Sequence, residues 1–163
     1  MSFLEPTQDK RPLISQSLWF GIWAAVTVVG GMLKPDSHGH GTHQQLGLPP
    51  CPSVLMFNRP CPACGLTTSW TATLNGDFSA AFKAHPLGPL LYLGFTITAF
   101  MALYGAIKQL HFRTDTKQAN RIATVVGIVF FGFGLYRMAT TTNYRSAHEQ
   151  NYVNVLTGKE TAP

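Results

Sequence analysis

The chain has 163 residues, 45% of them hydrophobic and only 12% charged, roughly half the charge that an ordinary soluble domain carries. That balance excludes intrinsic disorder, which combines low hydrophobicity with many charges, and leaves a free-standing soluble globule short of surface charge. The net charge of +5 reflects a shortage of acids, because the 12 Lys and Arg are scattered without a basic run, and no nucleic-acid partner is expected.

In chain order, residues 1–11 form a tail ending in Lys10-Arg11. Residues 12–33 follow as 22 positions without a charge, closed by Lys34. A bilayer core needs about 20 helical residues, so this run predicts a spanning helix. It is too long for a signal-peptide core and is followed by no small-x-small cleavage site. A second uncharged run, 86–107, ends at Lys108. A third, 122–136, reaches spanning length as a helix over 121–142 if Arg137 snorkels. None of the three has a polar face, which counts against a soluble helical bundle. Glycines such as Gly30, Gly105 and Gly134 suit close helix packing, and Trp19, Trp23, Tyr92, Tyr104 and Tyr136 lie where interfacial aromatic belts form.

Between the first two helices lies a long loop with all three cysteines and four of the six histidines. Its polar start, His38-Gly-His40-Gly-Thr-His43, leads through the turn at Pro49-Pro50-Cys51-Pro52 to a short apolar run, 54–57. The spacing then predicts a helix with Cys61 as N-cap, Pro62 at the first helical position and Cys64 one turn on, running to Leu74 and ended by Asn75-Gly76. Leu66, Trp70 and Leu74 would form its apolar stripe. Asp77 is placed to cap a second short helix, 78–84, with Phe78 and Phe82 continuing the apolar face. Both are too short to span, and a re-entrant or interfacial hairpin is expected.

The expected fold is therefore all-α and integral to the membrane, with three transmembrane helices and a Cys-bearing hairpin between the first and second. It is one membrane domain over 1–163: tail 1–11, helix 12–33, His/Cys loop 34–60, hairpin 61–84, helices 86–107 and 121–142, and tail 143–163. Lys108, Arg113, Lys117 and Arg121 crowd one connection, whereas the 52 residues from 34 to 85 hold only Lys34, Arg59 and Lys83. The positive-inside rule places the N-terminus in the cytoplasm and the Cys loop outside. The C-terminal tail, with Tyr144-Arg145 and Tyr152, reads as a solvated or interfacial segment.

The run Cys51-Pro52, Pro60-Cys61-Pro62-Ala63-Cys64-Gly65-Leu66-Thr67, then Leu74-x-Gly76-Asp77-Phe78-x-Ala80-Ala81 and Pro86-Leu87 resembles the bacterial membrane proteins of domain-of-unknown-function family 2752. Their hallmark is Cys-Pro-x-Cys-Gly-x-Thr-Arg, followed by a Gly-Asp/aromatic/Ala-Ala segment and Asn-Pro. The match covers roughly 48–107. Thr68 stands where the family usually has Arg, and His85 where it usually has Asn. The resemblance implies a small multi-pass protein of the bacterial inner membrane and no particular activity.

Three chemistries are open to the cysteines. Cys61 and Cys64, near a helix N-terminus that stabilises a thiolate, have the spacing of a thiol–disulfide pair. Cys51, Cys61 and Cys64, with one of His38, His40, His43 or His85, match a Cys₃His zinc set, and thiolates also suit copper(I). A structural disulfide tying the loop to the hairpin is the third. There is no phosphate-cradling loop, metalloprotease motif or nucleophile elbow, and no acid within a predicted span, which counts against ion-coupled transport. The reading is thus an accessory or structural membrane component rather than an enzyme, its hairpin stabilising or binding other membrane proteins. The alternative is a thiol–disulfide or metal-handling protein.

Overall fold

The structure, a computed structural model, describes residues 4–6, 10–112 and 116–158. Its elements are β1 (Leu4–Pro6), α1 (Lys10–Met32), a 3-10 turn (Thr42–Leu46), α2 (Pro52–Phe57), α3 (Leu66–Leu74) and α4 (Phe78–Ala84). Then come α5 (Gly88–Ile107), β2 (Leu110–Phe112), α6 (Lys117–Thr140) and α7 (Ala147–Thr157). The architecture is nearly all helical, as the hydropathy pattern predicts. Helices α1, α5 and α6 are 23, 20 and 24 residues long and apolar enough to cross a membrane. At 1.5 Å per residue they measure about 30–36 Å, matching a bilayer core. Most of their large side chains face outward, Ile14, Leu90, Ile128 and Leu135 among them. Such a surface suits a lipid surrounding rather than water.

Helices α1 and α5 are held together by polar rungs. Trp19 Nε1 donates to Thr98 Oγ1 at 3.3 Å, Trp23 Nε1 to Thr96 Oγ1 at 3.0 Å, and the Thr27 and Tyr92 hydroxyls share a 2.8 Å bond. Two tryptophans read as interfacial anchors thus serve as interhelical glue, where water cannot compete for their N–H groups. At the other end, β1 pairs with β2 antiparallel, Leu4 opposite Phe112, a short ribbon that the helical pattern did not announce.

The hairpin caps one end of this bundle. Leu74 packs on Gly30 near the end of α1, and Trp70 Nε1 donates to the Gly88 carbonyl at the start of α5 at 2.9 Å. Pro62 sits on Gly134 near the end of α6. Asp77 caps α4 by accepting from the Ala80 N–H. In α3 the fully buried side is Thr68, Ser69, Thr71 and Ala72, not the stripe of Leu66, Trp70 and Leu74, which turns toward the spans. Small polar side chains are what let α3 approach the backbone so closely: Ser69 Oγ donates to the His85 carbonyl at 3.3 Å.

The expectation of a helix beginning at Cys61 is corrected. Cys61 to Cys64 form a turn, closed by the Cys64 N–H on the Cys61 carbonyl at 3.0 Å, and α3 begins only at Leu66. Gly65 is the reason, since its φ of 86° lies in the left-handed region, which no helix interior adopts. A Cβ there would clash with the Ala84 carbonyl oxygen and lie 2.8 Å from that of Gly39. Gly65→Ala is therefore expected to cost about 2–3 kcal/mol, combining left-handed strain with overpacking. Thermal unfolding in detergent would show it as a lower midpoint; an unchanged midpoint would refute the contact.

The tail is corrected as well. Residues 143–150, expected as a solvated or interfacial segment, fold back over the cysteine loop, with α7 opening on a Ser146–Glu149 capping box. Arg137, half-buried, turns toward this cap. It donates to the Cys64 carbonyl at 3.1 Å and to the Tyr144 hydroxyl at 3.2 Å.

Candidate metal centre

Three chain segments build the site. Cys51 closes the start of α2, its carbonyl accepting from the Val54 and Leu55 N–H groups at 3.0 Å each. Pro52 fits the first helical position because it has no N–H to satisfy there. Cys61 and Cys64 stand on the turn that precedes Gly65. The tail pins α2 from outside. Arg145 donates through Nε to the Val54 carbonyl at 2.9 Å and through Nη2 to that of Leu55, capping the C-terminal turn of α2. From the loop side, Arg59 donates to the Met138 and Ala139 carbonyls at 2.9 Å each.

The outcome is a triangle of sulfur. The Sγ atoms of Cys51, Cys61 and Cys64 all lie within 4.8 Å of one another, and all three are free thiols rather than disulfides. Three sulfurs bound to one ion at about 2.3 Å would be about 3.8–4.0 Å apart, so the observed triangle needs little contraction to hold one. Cys64 is buried, and Cys51 and Cys61 are partly exposed.

Protons are unevenly shared within the triangle. The Cys64 thiol donates to Cys61, and despite burial that bond, with help from the Ala63 N–H and Cys51, lowers the Cys61 thiol to about 5. Giving up its hydrogen bond and being buried push Cys64 up. Of the two, Cys61 is the one that gives up its proton more readily.

The histidines are distributed differently from the expected ligand set. His38 is on the surface, its Nδ1 on Asp36 Oδ1 at 3.0 Å. Buried His40 donates through Nε2 to Glu149 Oε2 at 2.9 Å and through Nδ1 to the His38 carbonyl at 3.2 Å, and its ring stacks on Tyr144 at 4.3 Å. His43 Nε2 donates to the Pro49 carbonyl. His85, fully buried, donates through Nε2 to the Pro62 carbonyl at 3.2 Å and lies against Phe130 and Phe133, and burial lowers its pKa. Among the described residues, no histidine joins the three sulfurs within 4.8 Å. His40 and His43 do line the same cleft of about 350 Å³ as the cysteines.

Glu149 lines that cleft too, and sequence reasoning missed it. It is 1% exposed. Burial pushes its carboxyl up, but the Ser146 N–H, the His40 ring and the Ser146 hydroxyl outweigh this and hold it below the ordinary range. Ser146-x-x-Glu149 is a legible capping box, yet nothing in it says that the carboxylate also reaches His40, 109 residues away. The buried Thr68 hydroxyl shares a 2.9 Å bond with that of Thr42. Guanidinium groups reach the cysteine loop from Arg137 and Arg145.

Three membrane-length helices and a thiol triangle seated on their common end define an integral membrane protein with a cysteine-lined cap. The family model described as protein of unknown function (DUF2752) matches residues 51–99, which hold all three cysteines, the hairpin and the first half of α5. The resemblance noted over this part of the chain is therefore supported for that segment, about a third of the chain. No curated protein and no solved structure matches it.

Proposed function

We propose that this chain is a metal-handling accessory protein of the bacterial inner membrane. Its cap binds one thiophilic ion, zinc or copper(I), through Cys51, Cys61 and Cys64. The observation that carries this reading is the convergence of Cys51 with the other two sulfurs to within 4.8 Å. Cys61 and Cys64 meet within one turn, but Cys51 arrives from the far side of α2. Soft thiolates select such ions over hard ones, and an ion shared by three sulfurs would tie loop, turn and tail into one unit. The test is titration of the reduced, detergent-solubilised protein with Zn²⁺ or Cu⁺ against a competing chelator. One ion per chain is expected; binding no tighter than that of a peptide spanning 51–64 would overturn it.

The positive-inside pattern supports a cytoplasmic N-terminus and an external cap. A cysteine introduced at 113–115 should then resist a membrane-impermeant thiol reagent in intact cells. Labelling without permeabilisation would reverse the orientation. A second reading, thiol–disulfide exchange, is favoured by the proton held between Cys64 and the depressed Cys61. It requires that pair and is indifferent to Cys51.

A further inference from the structure

We propose that the three-sulfur centre is an exchange site whose fourth coordination position is filled by an incoming thiol, through which the ion enters and leaves. This rests on the metal reading above and concerns what completes the shell. Structural zinc sites are closed by four protein ligands, and sites that keep a position open use it for an exogenous group. Here the described residues bring three together. Among them no histidine nitrogen or carboxylate oxygen joins the sulfurs within 4.8 Å.

The polar groups that share the cleft are already engaged. Both ring nitrogens of His40 donate, to Glu149 and to the His38 carbonyl. Glu149 Oε1 accepts from Gln44, and Oε2 accepts from His40 and from the Ser146 N–H and hydroxyl. His43 is turned by its bond to the Pro49 carbonyl. Recruiting His40 or Glu149 would break their buried hydrogen bond, and His43 stands outside the 4.8 Å sulfur group, whereas an outside ligand breaks no bond.

The space points the same way. The cleft, about 350 Å³, is walled by the cysteines and by Pro49-Pro50. All three cysteines line it, Cys51 and Cys61 partly exposed and so the more reachable, Cys64 buried. A soft ion already held by thiolates favours another sulfur over a carboxylate or water. In the exchange, the incoming thiol binds the ion through its sulfur and gives its proton to water. One of the two reachable cysteines then gives up its bond to the ion and takes a proton from water. No electron moves, and the ion leaves with its new ligand.

The test uses the full-length protein in detergent, loaded with one Zn²⁺ per chain, and follows transfer to a chromophoric chelator. Glutathione is the probe and S-methylglutathione its thiol-free control. A short peptide with two cysteines distinguishes a partner protein's thiol from a free one, according to which accelerates transfer at lower concentration. Transfer should rise about tenfold with glutathione and level off, on the scale by which outer ligands alter metal sites, and S-methylglutathione should do nothing. Thr67→Phe, which narrows the cleft and replaces no ligand, should keep one ion per chain and blunt the acceleration. Should the ion bind at one per chain but leave at a rate indifferent to glutathione, the site is closed and structural. This inference then falls while the metal reading stands. Failure to bind an ion at all is the separate outcome read by the titration.

Discussion

Replacing Cys51 by serine should abolish ion binding as completely as replacing Cys61 or Cys64. A hydroxyl is a poor ligand for a soft ion, and two thiolates leave the shell half complete. Altering a group that merely supports a ligand costs about 10–100-fold in affinity, so removing a ligand outright should exceed that. The measurement is bound metal per chain after gel filtration of each variant. All three should approach zero. Full retention by Cys51→Ser, with loss in the other two, would leave a Cys61–Cys64 pair alone and favour the redox reading.

Glu149→Ala should be the most destabilising single change outside the cysteines. It would strip the buried His40 ring of its partner at 2.9 Å, remove the acceptor for Ser146 and undo the capping box. Breaking a buried pair of this kind costs about 3–5 kcal/mol, and the tail's hold on the cysteine loop would loosen with it. A lower unfolding midpoint and new protease sensitivity at 141–146 are the expected signs. An unchanged midpoint would mean that the tail is not docked.

The same residue sets a pH dependence. Because its carboxyl is held below the ordinary range, Glu149 contributes stability above the pKa it has when unfolded. That contribution is lost as pH falls through the lowered, folded value. Stability should therefore decline as pH drops below about 4, and Glu149→Gln should flatten the decline by being less stable already at neutral pH.

What could be read from the sequence follows the strength of each local signal. Uncharged runs of 22 residues leave little choice but a span, and α1 and α5 lie where those runs are. Helix α6 begins at Lys117, four residues before the expected start, because Thr116 caps it by accepting from the Ala119 N–H. Asp77 announced α4. The cysteine turn misled because Cys61-Pro62 imitates the start of a helix; Gly65, inside the supposed helix, was the contrary signal. The docking of the tail has no hydrophobic signature. Tyr152, Val155 and Leu156 of α7 stay exposed, and the segment is held by Arg145, Glu149 and backbone contacts to Asn58, a kind of attachment that periodicity does not reveal. Cys51 meets its partners only through tertiary folding, so the three-cysteine unit could be suspected from residue type but not located.

X-ray absorption at the metal edge of the loaded, detergent-solubilised protein tests the central claim most directly, because it counts the atoms bound to the ion. Three protein sulfurs at about 2.3 Å are predicted, with a light atom from water in the fourth position when no thiol is added and a fourth sulfur when glutathione is present. A shell of nitrogen and oxygen, or one with fewer than three sulfurs, would contradict the account.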